Sequence, residues 1–400
     1  MVAPDLPIGD RIRHHRGPRR QDVVAGLVGI SPDYLSQIER GLKIPTIPVL
    51  HAIALELGVP TAALLAEAPA AAVKAPETTA PAIAQALMGY GPARSTAPAE
   101  PQQLRERVEA AWRSWQSSPT RFTDAAAVLP DLIADTEHAV RAHRGGTDAA
   151  LRRETLRVSA DLYFLLRSYL RRAGRVDLSL MAADRAMRAA EDADDPLRIA
   201  AAQWNLGHVL LAANDADGAE QIVLQGAEQL RPRIDAGDEQ CAAMSGALQL
   251  VAVVASAQRK DWWAARDRLR DVAAPAAKKA GEGNVMWTVF GPTNVDLHVV
   301  SIEMMAGEAA EALHKADSLD TSGLPSLERE FTFMLEVARC YDLRREDSAV
   351  LLHLLDVERL APEDLVRTQL ARDMVLGLMR RARAMHARQA EALAGRMGML

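Results

Sequence analysis

Apolar residues recur at helical spacing through most of the 400-residue chain, and short polar or glycine-containing breaks separate the apolar runs. From residue 104 to about residue 385 the pattern predicts one helix after another. Alanine and leucine dominate and aromatic residues make up only 4% of the chain, which favours closely packed helices over sheets. We therefore predict an all-α protein. The predicted breaks fall at Gly145-Gly146, Gly174, Asp195-Pro196, Asn214-Asp215, Gly237, Lys260-Asp261, Gly281–Gly283, Gly307, Gly323–Pro325, Arg345-Glu346 and Pro362.

The regular spacing of these breaks indicates an internal repeat of paired helices. Residues 200–232 show it best, with Leu206-Gly207 in a first helix, a turn at Asn214-Asp215, Ala219 in a second helix and Pro232 near its end. Residues 331–362 fit next, and weaker copies lie at 160–190, 245–277 and 293–319. This pattern resembles the tetratricopeptide (TPR) repeat. The resemblance implies a TPR-like α-solenoid whose concave face binds partners.

A different pattern occupies residues 19–45. A short helix from Gln21 is followed by the turn Gly29-Ile30, and Ser31-Pro32 then supply the N-cap and first position of a second helix. The second helix buries Leu35 and Ile38 and is predicted to end at Gly41. Two short helices joined through a glycine-containing turn form a helix-turn-helix.

Residues 8–65 resemble the DNA-binding domain of the xenobiotic-response-element (XRE, Cro/repressor-like) family. The segment 31–41, SPDYLSQIERG, is close to the most recognisable part of that family, residues 8–16 resemble its first helix, and residues 44–65 its fourth and fifth helices. The resemblance implies a five-helix lambda-repressor-like domain. The connection at residues 17–20 is about two residues shorter than the family pattern, which affects the placement of the first helix.

Three regions follow along the chain: an XRE-type domain at residues 1–67, an Ala/Pro-rich linker at 68–101 and a TPR-like helical domain at 102–400. Within the linker, residues 83–88 are predicted to form a short helix that docks on a neighbour. The whole arrangement resembles actinobacterial XRE-family regulators and, more distantly, the Rgg- and PlcR-like peptide-sensing regulators.

Charge and cysteine content narrow the class of protein. The net charge of −6 argues against a protein coated in basic surface, whereas five of the seven basic residues within residues 1–66 lie between Arg11 and Arg20. This local positive charge suits phosphate contact, with modest nonspecific affinity and a strong salt dependence. Cys241 and Cys340 lack metal-ligand spacing, and no signal pattern or long apolar run appears. We expect a cytoplasmic protein without metal or cofactor.

The XRE resemblance also implies DNA-contacting residues. Gln21 matches a phosphate-binding glutamine that braces the recognition helix, and Gln37 is the best candidate base reader, with adenine its natural partner. Arg16 and Glu39 match a structural charged pair. Ordinary exposed polar residues remain the alternative for each contact. The expected DNA-binding set is Arg20, Gln21, Ser31, Pro32, Asp33, Tyr34, Ser36, Gln37, Arg40 and Lys43.

Candidate effector residues interrupt the alanine-leucine pattern of the helical region. Gly291-Pro292 are predicted to begin a helix that places Asn294 and His298 on one face, just after Trp287 and Phe290. On the repeat at residues 200–213, His208 shares a face with Trp204, and Asn205 lies beside them. Asparagines on inner helices hold peptide backbones in the Rgg- and PlcR-like proteins. The alternative is that the aromatic residues fill the core and Asn294 caps its helix.

No catalytic motif is recognisable, so the chain is not expected to be an enzyme. The sequence favours a homodimeric transcriptional regulator that binds double-stranded DNA and responds to a small-molecule or peptide effector. The alternative is an adaptor whose solenoid recruits a protein partner. A closed pocket on the concave face would favour the regulator, and an open groove the adaptor.

Overall fold

The computed structural model describes residues 8–17, 19–57, 59, 61, 64, 80–89, 97–382 and 384–400, and these residues form helices and turns without any β-strand. The all-α prediction is confirmed. The chain divides into two compact units, residues 1–76 and residues 77–400.

The N-terminal unit contains four described helices, α1 (Ile8–Arg16), α2 (Gln21–Val28), α3 (Pro32–Glu39) and α4 (Ile47–Leu57). Their core is formed by Ile12, Val24, Leu35, Ile38 and Ile53, each at most 1% exposed. The predicted helix-turn-helix is present as α2 and α3. The predicted fifth helix lies largely outside the described residues.

Local sequence fixes the geometry of α2 and α3. Gly29 ends α2 in the left-handed region at φ 76°, which glycine adopts at little cost. Ser31 then caps α3, because its hydroxyl accepts a hydrogen bond from the Tyr34 amide at 3.1 Å. Gly9 lets α1 approach the end of α3, since a Cβ there would lie 2.2 Å from the carbonyl oxygen of Ile38.

The described residues of the second unit form a succession of helices, with one π-helical turn at Leu269–Ala273 and one 3₁₀ turn at Val285–Trp287. Its α-helices are α5 (Ala80–Leu87), α6 (Pro101–Ser117), α7 (Arg121–His143), α8 (Ala149–Arg172), α9 (Val176–Asp192), α10 (Pro196–Ala212), α11 (Ala216–Asp235), α12 (Glu239–Gln258), α13 (Trp262–Arg268), α14 (Ala274–Ala280), α15 (Pro292–Ala306), α16 (Ala309–Ala316), α17 (Leu327–Leu343), α18 (Asp347–Leu360), α19 (Pro362–Arg367), α20 (Gln369–Arg381) and α21 (Ala384–Arg396).

Consecutive helices pair as antiparallel hairpins, and the first helices of successive hairpins, α6, α8, α10 and α12, also pack side by side. Several turns between consecutive helices share one design. A residue in the left-handed region is followed by an aspartate that caps the next helix, as at Asn214-Asp215 and Lys260-Asp261. These turns coincide with the predicted breaks, which confirms the solenoid-like arrangement.

Gly207 explains the close packing of the best repeat. A Cβ at this position would lie 2.7 Å from a methyl carbon of Val223 on α11 and 3.0 Å from one of Val251 on α12. Only glycine therefore lets α10 approach both neighbours at this distance. Ala219 on α11 is fully buried in the same interface.

Helix α5 corresponds to the short helix predicted within the linker. Its Ile83 and Leu87 are buried and join the hydrophobic core of the second unit, where α5 packs against α7. The predicted docking helix is confirmed, and it begins three residues earlier than expected. Residues 65–79 and 90–96 of the linker region are outside the described residues.

The beginning of the second unit is bonded to its C-terminal part. Arg121 at the start of α7 is completely buried and pairs with Asp364 on α19, while the amide of Phe122 donates to Glu363 at 2.8 Å. These contacts join residues more than 240 positions apart. The stack of hairpins is thus closed by α19, which places α17 beside α6.

Helix α12 is the one helix in the described part of the chain that is long and apolar enough to cross a membrane. In its most apolar 18-residue window, 72% of the residues are buried against neighbouring helices. We assign it to the core of the second unit.

Candidate functional site

The first candidate surface is the outward face of α3. Ser31, Pro32, Asp33 and Arg40 are exposed, and Gln37 is partly exposed between them. In the described part of the chain no side-chain hydrogen bond engages Gln37. The helix therefore presents a free amide in the middle of a polar face, as base readout in a major groove requires.

Helix α3 is held in place by a buried polar network centred on Glu39. Arg16 donates two hydrogen bonds to the Glu39 carboxylate, at 2.7 and 2.9 Å, and Gln21 donates another at 2.9 Å. The Glu39 side chain is 5% exposed and that of Arg16 15% exposed. The expected pair of Arg16 and Glu39 is present, and Gln21 braces α3 through the same carboxylate.

Basic groups surround this face. Arg20 is 78% exposed and forms a local pair with Asp22 at 2.6 Å, which a phosphate group can replace at low cost. The Lys43 ammonium lies 5.5 Å from the centre of the Tyr34 ring. The remaining expected DNA contact, Ser36, is partly exposed, and its carbonyl oxygen accepts a hydrogen bond from Arg40 at 3.3 Å.

The second candidate site is a cavity of about 190 Å³ inside the second unit, walled by α6, α8, α10, the loop before α15 and the start of α17. Most of its wall comes from α6, α8 and α10, the first helices of successive hairpins. The side chains that define its chemistry are Trp112, Trp115, Arg121, Arg167, Arg171, Arg172, Trp204, His208, Trp287, Glu328 and Arg329.

Five arginines line this cavity, and three of them pair with Glu328 or Asp364. Glu328 pairs with Arg121 at 3.2 Å, with Arg172 more closely, and with Arg171 at 3.7 Å. Asp364 pairs closely with Arg121 and lies 3.7 Å from Arg172. Burial alone would raise the pKa of Glu328, but the surrounding guanidinium groups hold it well below its usual range.

The carboxylates do not neutralise all of the positive charge of these arginines. Burial and neighbouring guanidinium groups lower the pKa of Arg167 well below its ordinary value and that of Arg171 to about 10. Arg171 is surrounded by protein yet keeps 27% of its side-chain area accessible, because it borders the cavity. The positive charge is therefore directed into the cavity.

Aromatic rings form the other walls. Trp287 stacks on Trp112 with ring centres 5.1 Å apart and planes 5° apart, and Arg167 lies 5.2 Å from the Trp204 ring. His208 packs edge-on against Trp204 at 4.4 Å. Burial and the nearby arginines lower the pKa of His208 well below its usual value, so its imidazole is neutral at physiological pH.

The loop that carries Trp287 has a strained backbone. Met286, Trp287 and Val289 all have positive φ values, of 48°, 63° and 55°. Asn284 and Gln116 hold the loop against α6, with the Asn284 amide donating to the Gln116 side-chain oxygen at 2.8 Å. Strain of this kind in residues other than glycine persists where the surroundings impose it, and such sites are often functional.

The structure brings together only some of the residues expected to bind an effector. His208 and Trp287 line the arginine-rich cavity, whereas Phe290 is buried in the core against Gly246. Asn205 is buried and accepts a hydrogen bond from Arg167 at 2.6 Å, so it positions an arginine of the cavity wall.

Asn294 and His298 lie one turn apart on α15, as expected, and both are buried. The His298 imidazole bonds the Asn294 carbonyl oxygen at 2.7 Å, and burial lowers the pKa of His298 to about 3. Neither residue lines the cavity.

The arginines were not anticipated from the sequence, although a signal was present. Arg167 interrupts the apolar run from Leu162 to Leu170, and Arg171 follows one helical turn later on the same face. A charged residue within an otherwise buried helix is expensive unless a partner or ligand compensates it. This criterion identifies the α8 wall of the cavity.

The fold and these two sites define an all-helical protein with an N-terminal helix-turn-helix domain. Residues 8–68 match a family model described as a helix-turn-helix domain. Among curated proteins no match was found. Among solved structures the chain is similar to a crystal structure of Bacillus thuringiensis PlcR in complex with the peptide PapR7 and DNA, with 11% sequence identity, a TM-score of 0.31, and coverage of 88% of this chain and 98% of that chain. Similarity at this level carries no argument about what the present chain binds.

Proposed function

We propose that the protein is a sequence-specific DNA-binding transcriptional regulator whose affinity for DNA is set by a ligand bound in its second unit. In this proposal residues 1–67 read the DNA and residues 102–400 sense the ligand and form a homodimer in the cytoplasm. The two DNA-reading helices of a dimer would contact half-sites about one helical turn apart.

The observation that carries the proposal is the free polar face of α3 on a helix braced from behind. Glu39 ties α3 to α1 and α2 through three hydrogen bonds, so Gln37 has a fixed position relative to the surrounding basic groups. Fixed placement of a few side chains is what base readout demands, and local basic groups supply phosphate contacts. Asp33 can only accept hydrogen bonds, for which the cytosine amino group is its usual partner on a base edge, and this narrows the sequences that this face can read.

The test is selection of bound sequences from a random duplex pool by the full-length protein and by Gln37→Ala. Because a bidentate glutamine–adenine contact contributes about 1–3 kcal/mol of discrimination, the variant should lose one base preference in each half-site while keeping most of its nonspecific affinity. Gln85→Ala is the matched control, since Gln85 is an exposed glutamine on α5 in the other unit.

The proposal is supported if the wild type and Gln85→Ala select the same two-fold-symmetric motif and Gln37→Ala loses the base preference at one position of each half-site. Absence of enrichment with folded wild-type protein at low salt would overturn DNA reading. Retention of every base preference by Gln37→Ala would remove Gln37 from the readout.

Ligand control of DNA affinity is supported by the arginine-rich cavity, whose walls come from several helices of the second unit. A ligand changes an equilibrium between two shapes only through different affinities for them. In our proposal a ligand that bridges α8, α10 and α17 alters the spacing of these helices and so the geometry of the dimer. DNA affinity measured with and without bound ligand tests this step.

The adaptor alternative has one observation in its favour. A larger groove, of about 980 Å³, lies between α11, α12 and α14 and is lined by both apolar and charged residues. If DNA selection fails and this face captures a protein partner, the adaptor function takes precedence. A variant that blocks the groove, such as Ala276→Trp, should then abolish capture while leaving the arginine-rich cavity unaffected.

A further inference from the structure

The charge balance of the cavity indicates the class of ligand. In the described part of the chain, five guanidinium groups line the cavity, and the carboxylates of Glu328 and Asp364 pair with three of them, those of Arg121, Arg171 and Arg172. Even with the Glu336 carboxylate near Arg329 counted as ionised, at least two positive charges remain in a site largely surrounded by protein, where charge is costly unless it is paired.

Hydrogen-bond donors without an acceptor also indicate an anionic ligand. Arg167 is 2% exposed, and its Nη2 atom has no hydrogen-bond partner among the described residues. The buried Nε atoms of Arg171 and Arg172 are likewise without partners there. Arg329 also lines the cavity, and burial lowers the pKa of its guanidinium group. A buried donor without an acceptor carries a free-energy penalty about as large as the loss of a hydrogen bond. Several such donors beside one cavity therefore indicate that a ligand supplies the acceptor.

The remaining walls limit the rest of the ligand. Four of the six tryptophans of the chain line the cavity. A cavity of about 150 Å³ lined by apolar residues accepts benzene. At about 190 Å³, this cavity has room for one flat ring together with an anionic group.

We propose that this cavity binds a compact organic anion, with a carboxylate or phosphate held by Arg167, Arg171 and Arg329 and a flat apolar part against the tryptophans. Arginine forks suit both anionic groups because they donate parallel hydrogen bonds to two oxygens. The inference deepens the proposed function, on which it rests for the regulatory role of the ligand.

The experiment uses the full-length protein without DNA and four probes at constant ionic strength: benzoate, phenyl phosphate, inorganic phosphate and neutral benzamide. Binding is followed by tryptophan fluorescence, which the four wall tryptophans make sensitive to occupancy, and by the melting temperature. We expect benzoate or phenyl phosphate to bind and to raise the melting temperature. Benzamide, which has the same ring without the charge, should bind at least tenfold more weakly. Inorganic phosphate tests whether the anion suffices without a ring.

Arg171→Gln is the informative variant, because the ion-pair contact of Arg171 is a long one, 3.7 Å to Glu328. It should weaken binding of the aromatic anion about tenfold or more, since a charge-assisted hydrogen bond is lost. The melting temperature without ligand should stay unchanged or rise, because a repelling buried charge is removed. A merely structural arginine would instead lower it. Arg171→Lys should retain much of the binding.

Arg188→Gln is the control, because Arg188 is an arginine on α9 with 73% exposure. Arg329→Gln provides a second cavity variant in case Arg171→Gln does not fold. Failure of both aromatic anions to bind the wild type would overturn the proposal, as would equal binding of benzamide or unchanged binding by both cavity variants.

Measuring DNA affinity with and without the bound anion separates the two levels of the proposal. If the anion binds but DNA affinity does not change, the anion site is supported and its regulatory role is overturned. Successful DNA selection with no anion binding would overturn the anion site and leave the DNA-reading function standing.

Discussion

The two units handle buried charge in opposite ways. In the N-terminal unit, one carboxylate, Glu39, accepts hydrogen bonds from Arg16 and Gln21 on two other helices. In the second unit, five arginines line one cavity and Glu328 and Asp364 pair with three of them. Several of the arginine donors have no partner in the described part of the chain. The first network is balanced and the second is not.

This difference indicates that the Glu39 network has a structural role and that the arginine cluster of the second unit is a binding site. A balanced buried network fixes the arrangement of the elements that it joins, because each donor and acceptor is satisfied only in that arrangement. An unbalanced network of like charges opposes folding and persists only where other contacts support it. The stacked tryptophans and the pairing of Arg121 with Asp364 supply those contacts in the second unit.

The largest expected effect comes from removing one of the two counter-charges of the cavity. Asp364→Asn leaves Arg121, which is completely buried, with Glu328 alone and increases the excess positive charge. Breaking a buried pair from one side costs about 3–5 kcal/mol, so we expect a loss of about 4 kcal/mol in the free energy of unfolding of the second unit. Denaturant unfolding followed by tryptophan fluorescence measures it, because all six tryptophans lie in this unit.

The control is Asp356→Asn, which removes a surface pair with Arg359, whose side chain is 74% exposed. That substitution should cost less than about 1 kcal/mol. Equal effects of the two substitutions would mean that closure by α19 contributes no more than a surface contact does.

The balanced network should give the next largest effect. Glu39→Gln keeps the shape of the side chain but leaves Arg16, 15% exposed, without its counter-charge. We expect a loss of about 2–3 kcal/mol in the N-terminal unit, since hydrogen bonds between charged groups are replaced by weaker ones. Hydrogen exchange of the α1, α2 and α3 amides measures the loss without interference from the second unit.

Glu56→Gln is the matched control, because Glu56 pairs with Arg19 at the surface of the same unit. It should change exchange protection by less than about 1 kcal/mol. If Glu39→Gln leaves protection and DNA selectivity intact, the network does not position the recognition helix.

Much of the fold follows from local sequence signals. Ser31 before Pro32 defines the start of α3, and the pairs Asn214-Asp215 and Lys260-Asp261 mark hairpin turns because an aspartate after a left-handed residue caps the next helix. The pair of Arg16 and Glu39 also followed from family resemblance. These features depend on neighbouring residues or on a motif contained within about 25 residues.

The cavity depends instead on contacts between distant residues. Arg121 meets Asp364 across 243 positions, and Arg172 meets Glu328 across 156. Helical periodicity indicates that these side chains lie on helix faces, but it does not indicate which faces meet. The asparagine expected to bind an effector on the basis of family resemblance illustrates this limit, since Asn205 positions Arg167 and does not line the cavity.

The smallest effect concerns a carboxylate near the arginines that does not join their ion pairs. Glu336 on α17 accepts a hydrogen bond from the Ser301 hydroxyl at 2.7 Å. Burial raises its pKa to about 7, although Ser301 and Arg329 oppose the shift. Since this value exceeds the ordinary pKa of 4.5, the folded protein holds a proton that the unfolded chain releases. Stability should therefore fall as the pH rises from about 4.5 to about 7 and then level off.

Glu336→Gln keeps an acceptor for Ser301 and removes the titration. Its free energy of unfolding should match that of the wild type near pH 5 and exceed it at pH 8, by on the order of 1 kcal/mol, because the wild type alone must bury a charge there. Denaturant unfolding at the two pH values gives the comparison. If the wild type is more stable than Glu336→Gln at pH 8, ionised Glu336 stabilises the protein as a counter-charge for Arg329. The excess positive charge of the cavity would then be smaller above neutral pH than we infer.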